Sequence, residues 1–162
     1  MKLRLTVRDL EPTDLGDLDW SGGAEHIRAV ADALQATYTG EVAVVVAGLA
    51  NDRLVGLGAV DFRGDAEAGR IWLLSVQETL RSLGIGSKLV RALERRTVEQ
   101  GRTRARIAVE HDNPQARALY FRLGYQEVGS VVETWPVAGG RTYVTVSTVL
   151  ERRLPDPRPA RG

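Results

Sequence analysis

"RSLGIGSKLV", residues 81 to 90, sets Gly84 and Gly86 one residue apart where helical periodicity begins. Downstream, "GIGSKLVRALERRTVEQG" places Ile85, Leu89, Ala92 and Leu93 on one helical face, and Gly101 stands where a C-terminal glycine stops a helix. Upstream, "RIWLLSV" has the composition of a strand. Glycines at a strand-to-helix junction let the backbone approach a ligand, and the free N–H groups and positive dipole end of the helix favour an anion. A phosphate is the natural guest. The Walker pattern is absent because no lysine follows the later glycine at the required spacing, and Leu89 occupies the third glycine position of the dinucleotide pattern. On their own, these glycines fit a plain tight turn nearly as well.

Working outward, "LRLTVRD" is expected as a first strand and "PTDLGDLDW" as a short helical or looped segment. "AEHIRAVADALQATY" is an amphipathic helix ended by Gly40. "EVAVVVAGLA", "RLVGLGAVDF" and "RIWLLSV" follow as a meander of three strands. Beyond the central helix, "RARIAVE" returns to strand, and Asn113 and Pro114 hold the cap and first-turn positions of a helix "PQARALYFRL" closed by Gly124. "YQEVGSVVETW" and "RTYVTVSTVLE" complete the fold around a Gly139-Gly140 turn. The ending "PDPRPARG" is proline-rich, so one domain over residues 1–152 and a disordered tail over 153–162 are expected.

The chain has 162 residues, 43% hydrophobic and 27% charged, with a net charge of +1, which suits one globular domain. It has no cysteine and only His26 and His111, so disulfides, a thiol nucleophile and a multi-ligand zinc site have nothing to draw on. No apolar run approaches the roughly 18 residues of a membrane span, and "MKLRLTVRDL" lacks the features of a signal peptide, which points to the cytoplasm. Charge is uneven: Asp9 to Asp32 is strongly acidic, whereas Arg81 to Arg122 is strongly basic. Solvated helix faces explain this as readily as a polarised site with a cationic ligand on one side and an anionic one on the other.

The glycine stretch pairs with "NPQARALYFRLGY" downstream. Together they resemble the GNAT superfamily of N-acetyltransferases. Arg81, Gly84 and Gly86 match the family's first signature, and Asn113, Ala116, Leu119, Tyr120, Gly124 and Tyr125 match its second. The resemblance runs from near residue 3 to near residue 150. It implies an α/β (α+β) fold, a mixed, mostly antiparallel central sheet of about seven strands with about four flanking helices. It also implies acetyl-CoA as cofactor. The pyrophosphate would lie against the loop of Arg81, Ser82, Leu83, Gly84, Ile85, Gly86, Ser87 and Lys88. The pantetheine arm would pair with backbone freed around Leu74, Ser75 and Val76, where the family's strand splays. Nothing in "LLSVQETL" foretells that splay, since it contains no glycine or proline and Glu78 stands where many relatives have proline.

Asn113, Ala116 and Tyr120 share one helical face along the cofactor arm. The resemblance makes Tyr120 the general acid that protonates the departing thiolate, or a residue that only orients the sulfur. The acceptor amine must lose a proton before attack, yet "RIWLLSV" carries no acid to take it. Glu110 is the candidate base, with His111, Asp61 and Glu133 as alternatives. Trp20, Trp72 and Trp135 are candidate walls of an acceptor pocket, with Asp61 and Glu133 beside them. The expected activity is acetyl transfer to a primary amine on a small cationic metabolite, an aminoglycoside-like compound, or a peptide or protein. A CoA-binding sensor or inactive relative is the alternative. Near-neutral charge without stacking aromatics argues against nucleic acid as a partner. No membrane partner is expected, and a homodimer stays open.

Overall fold

Three stretches rich in valine and leucine become β2 (Val42–Gly48), β3 (Leu54–Asp61) and β4 (Ala68–Val76), an antiparallel meander at the centre of the sheet. The structure, a computed structural model, describes residues 4–155. The other strands are β1 (Thr6–Asp9), β5 (Arg104–Glu110), β6 (Gln126–Val137) and β7 (Arg141–Arg153). They assemble in the order β1-β2-β3-β4-β5-β7-β6. Only β4 and β5 run parallel, because the helix between them carries the chain back to the starting edge. The helices are α1 (Ala24–Thr37), α2 (Ile85–Glu99) and α3 (Pro114–Arg122), with 3-10 turns at Pro12–Asp17 and Asp19–Ser21. This is the mixed, mostly antiparallel seven-stranded fold that the sequence predicts. No helix among the described residues is long and apolar enough to cross a membrane.

Two apolar cores flank the sheet. On one side Val30, Ala33 and Leu34 of α1 pack against Val44, Val46, Leu57 and Ala59. On the other, the predicted α2 face of Ile85, Leu89, Ala92 and Leu93 is buried with Val60, Ile71, Ile107 and Leu150. Gly56 and Gly58 let α2 settle closely on β3: a Cβ at these positions would stand 2.8 Å from Leu89 Cδ1 and 2.9 Å from Leu93 Cδ1. β7 runs through Arg153, and Leu154 is buried with its N–H on the Thr103 carbonyl at 2.8 Å. The rest of the expected tail, residues 156–162, and the first residue of the expected opening strand lie outside the described residues.

One buried acid ties α2 to the end of the fold. Glu94 accepts the Tyr125 hydroxyl at 2.7 Å, Arg91 Nη1 at 2.7 Å and Arg152 Nη1 at 3.1 Å. Arg91 also donates to the Leu123 carbonyl, so the turn after α3 is held to α2. A carboxylate in an apolar core is tolerable only with such partners. Glu94→Ala would strand the Tyr125 hydroxyl and two guanidinium groups, and is expected to cost about 3 kcal/mol. A urea midpoint unchanged from the parent chain would refute this.

Candidate functional site

Midway along β4 the ladder changes. Ala59 pairs with Trp72 and Leu57 with Ser75, so Leu73 and Leu74 together oppose Gly58. This is a β-bulge, and Leu73 takes φ +58, a left-handed conformation that a leucine adopts only under constraint. Trp72 and Leu73 consequently both lie against the α1-side core, while Leu74 and Val76 lie against the α2-side core. Pairing between β4 and β5 ends at Ile71 and Ile107. Beyond that point β5 pairs with β7 alone, and the two parallel strands part. Leu74, Ser75 and Val76, expected to hold a pantetheine arm, form the β4 wall of this parting.

The glycine loop closes one end of the parting. A 3-10 turn, Glu78–Leu80, leads to Ser82 at φ +70 and Gly84 at φ +82, with Gly84 capping α2. A Cβ at Gly84 would meet nothing within 4 Å, so the loop's outer face is open. Arg81, Ser82, Leu83 and Lys88 are exposed, Gly86 and Ser87 half-buried, and Ile85 is sunk in the core, so that Ile85 can offer a ligand only its backbone. The first-turn N–H groups of α2 have no intrahelical acceptor and face outward with the positive end of the helix dipole. The first intrahelical bond to Gly84 comes from Lys88, at 3.2 Å. This is an anion cradle on a helix of 15 residues.

α3 forms the other wall. The Asn113 side chain accepts the Ala116 N–H at 3.2 Å, which caps the helix as its sequence predicts. Ala116 packs on the α2-side core, and Tyr120 is buried there with its ring edge-on to Tyr125 at 5.6 Å. Burial pushes the Tyr120 phenol above its ordinary value. Tyr125 is tied to Glu94, which leaves Tyr120 as the phenol outside that network.

On the α1 side of the same parting lie the groups expected near an acceptor. Trp20 and Trp72 both pack on the α1-side core, and the Arg70 guanidinium covers Trp72 at 5.1 Å from the ring centre. Glu110, at the end of β5, accepts the Tyr143 hydroxyl at 3.1 Å and the Thr145 hydroxyl at 3.4 Å, both on Oε2. Its hydrogen bond to Glu110 pushes the Tyr143 phenol up. Trp135 stacks on Tyr143 at 4.8 Å, and Glu133 faces Thr145 across the β6–β7 ladder. His111 is exposed one residue beyond β5.

Asp61 meets this group through Arg70, which lies over Trp72. The register sets it opposite Arg70, about 20 Å along β4 from Val76. It belongs to an ion-pair cluster with Arg63 at 2.9 Å and Arg70 at 3.4 Å. Burial raises its carboxyl, but the Arg63 hydrogen bonds and both guanidinium charges outweigh that and hold it below the ordinary carboxylate value. These residues line a cavity of about 470 Å³ with Asp65 and Arg106. Tyr143 and Thr145 were not singled out by sequence. Their alternation in "RTYVTVSTVLE" could have placed them on one face, but facing Glu110 requires the β5–β7 pairing.

The Acetyltransferase (GNAT) family matches residues 12–125 of the chain. No curated protein sequence matches it. Among solved structures, a chimera based on the Vibrio cholerae spermidine N-acetyltransferase aligns with TM-score 0.72 at 19% identity, over 92% of this chain and 95% of that one. Ard1 from Thermoplasma volcanium aligns with TM-score 0.71 at 20% identity, over 93% and 97%. An aminoglycoside 6'-N-acetyltransferase complexed with coenzyme A aligns with TM-score 0.69 at 17% identity, over 95% and 99%. At these identities the likeness is one of fold.

A Cβ at Gly86 would meet Leu119 Cδ2 at 3.5 Å and Val76 Cγ2 at 3.9 Å, ordinary contacts that leave room for alanine. Gly86→Phe would instead fill the space between β4 and α3. Calorimetric titration with coenzyme A should show at least a tenfold loss of affinity for Gly86→Phe, about 1.4 kcal/mol, and little for Gly86→Ala. Equal affinities for both variants would refute the cradle.

Proposed function

This chain belongs to the GNAT acetyltransferase family, and from that premise we propose that it moves an acetyl group from acetyl-CoA to a primary amine. The acceptor we infer is cationic: a small metabolite, an aminoglycoside-like compound, or a basic peptide. The observation that carries this reading is the parting of β4 from β5 beyond Ile71 and Ile107, opened by the bulge at Leu73. It leaves a passage between an anion cradle and a phenol on one side and a carboxylate framed by aromatics on the other.

Bound acetyl-CoA supplies an activated thioester, and the chain's own groups do the rest. Backbone N–H groups of residues 83–88 hold the pyrophosphate through the helix dipole, while Gly84 and Gly86 keep side chains clear. Backbone groups of residues 74–76, unpaired toward β5, orient the pantetheine arm and can polarise the thioester carbonyl. Tyr120 points its hydroxyl at the sulfur and gives its proton as negative charge builds there. A phenol near 10 protonating a thiolate near 8.5 is uphill by about 2 kcal/mol in water. Burial raises the phenol, and desolvation disfavours a thiolate in the same site as well.

A lysine-like amine near 10.4 is almost wholly protonated at neutral pH. Glu110 is the base in this reading. Tyr143 and Thr145 occupy one of its oxygens and fix its plane, which leaves Oε1 to receive the proton directly or through a water. Trp135 and Tyr143 offer ring faces to a cationic chain. Glu133 and the acidic 3-10 segment around Asp17 and Asp19 draw it in.

The test is release of CoA thiol from acetyl-CoA in the presence of pooled polyamines, aminoglycosides, amino acids and short peptides. One pool should respond. Tyr120→Phe should then lower kcat by roughly 10² with coenzyme affinity retained. With Tyr120 raised by burial, kcat should not decline on the alkaline side up to about pH 9.5. Failure to bind acetyl-CoA, or binding with no thiol release from any pool, would overturn the proposal.

A further inference from the structure

Arg70 of β4 and Arg106 of β5 are register partners one residue before the two strands part. With Asp61 at the end of β3, and Arg63 and Asp65 in the turn that follows, they line the cavity of about 470 Å³. Small-ligand sites occupy roughly 300–1,000 Å³. Asp61 is saturated: Oδ1 accepts the Arg63 backbone N–H and Nε, both at 2.9 Å, and Oδ2 accepts Arg63 Nη2 at 3.0 Å and Arg70 Nη2 at 3.4 Å. Asp65 is engaged on both oxygens, by the Glu67 N–H at 2.8 Å and by Arg106 Nη1 at 3.4 Å. The guanidiniums retain free donors. Each carries five N–H groups, yet Arg63 Nη1 and Arg70 Nε and Nη1 meet no acceptor among the described residues.

A surplus of N–H donors calls for acceptors, and an arginine fork fits the paired oxygens of a carboxylate or a phosphate. Beyond the lining, Glu151 accepts Arg106 Nε and Nη2 and is shared with Arg104, which Glu67 also meets. These outer charges bring the cluster close to neutrality, so recognition rests on the forks and not on a long-range field. The forks are set in advance. Asp61 holds Arg63 and Arg70, the Trp72 ring supports Arg70, and Glu151 holds Arg106, so little side-chain freedom is left to lose on binding. Alternation along β5 puts Arg106 and Glu110 on the same face, four residues and so about 13 Å apart.

We propose that this cavity binds the anionic group, carboxylate or phosphate, of a small ligand. One source is the far end of the acceptor: if Glu110 is the base, as the proposed function has it, an extended tetrapeptide spans the roughly 13 Å from that carboxylate to Arg106. The other source is a free anion. Nitrogen-15 NMR of the full chain, following the Nε–H signals of Arg63, Arg70 and Arg106, reads this cavity apart from the α2 cradle. The probes are Arg-Gly-Gly-Gly, its C-terminal amide and inorganic phosphate. The acid peptide should move these signals with a Kd below about 10 mM, at least tenfold tighter than the amide, which assigns the anion to the acceptor. Saturation by phosphate, with the two peptides alike, assigns it to a free anion and also sustains the site. Arg70→Gln with Arg106→Gln should weaken binding at least tenfold, while Arg63 and Arg104 still hold Asp61 and Glu151 and coenzyme A affinity, the check on folding, is unchanged. If that variant loses coenzyme binding, Arg70→Gln alone replaces it, with about a threefold weakening expected. No titration here needs acetyl transfer, so failure of the site is distinct from failure of the proposed function. Signals that saturate with neither anion by about 10 mM, or a variant that binds coenzyme A and keeps the parent affinity for the anion, would overturn the proposal.

Discussion

A leucine held at φ +58 in the middle of β4 is the constraint on which the site depends. Such a conformation costs about 1–3 kcal/mol and persists only where its surroundings determine it. Here they do. Trp72 and Leu73 are both drawn to the α1-side core, and Leu74 and Val76 to the α2-side core, so one extra residue must be absorbed between them. The bulge turns β4 away from β5, and the parallel pair opens while both strands remain anchored at Ala68–Ile71 and Arg104–Ile107. A strand gap would ordinarily expose unsatisfied backbone. In the function proposed above, that backbone is the surface that binds the coenzyme.

In the proposed function the two sides of the gap are built differently because the two reactants differ in charge. The coenzyme side relies on backbone dipoles at the start of α2, which attract an anion without a buried counter-charge. The acceptor side relies on carboxylates and aromatic rings, with Glu110 fixed by two hydroxyls of β7. Arg70, in contrast, is spent on Asp61 and the Trp72 ring, which keeps its charge from competing there.

Tyr120 is placed by a chain of side-chain contacts. Its ring rests on Tyr125, Tyr125 is fixed by Glu94, and Glu94 is held by Arg91 and Arg152. α2 can support this chain only because Gly56 and Gly58 let it lie close to β3. The phenol's position is thereby set from the glycines of the meander outward.

Local signals in the sequence were sufficient for the glycine cradle, the Asn113 cap, the buried face of α2 and the succession of strands. Each depends on residues within a few turns of one another, where spacing and side-chain chemistry decide conformation. The bulge left no such trace, since "LLSVQETL" contains no glycine or proline and the kink arises from competition between two cores. The ion pairs of Asp61 with Arg63 and Arg70 were hidden for a related reason: antiparallel pairing sets the end of β3 beside the start of β4. Tyr143 and Glu110 lie 33 residues apart and meet only through the β5–β7 register. The sequence by itself determined which segments form and where the glycine turn before α2 lies. Tertiary structure alone decided where strands part and which distant side chains face each other, because those outcomes follow from packing across the sheet and not from any neighbouring residue.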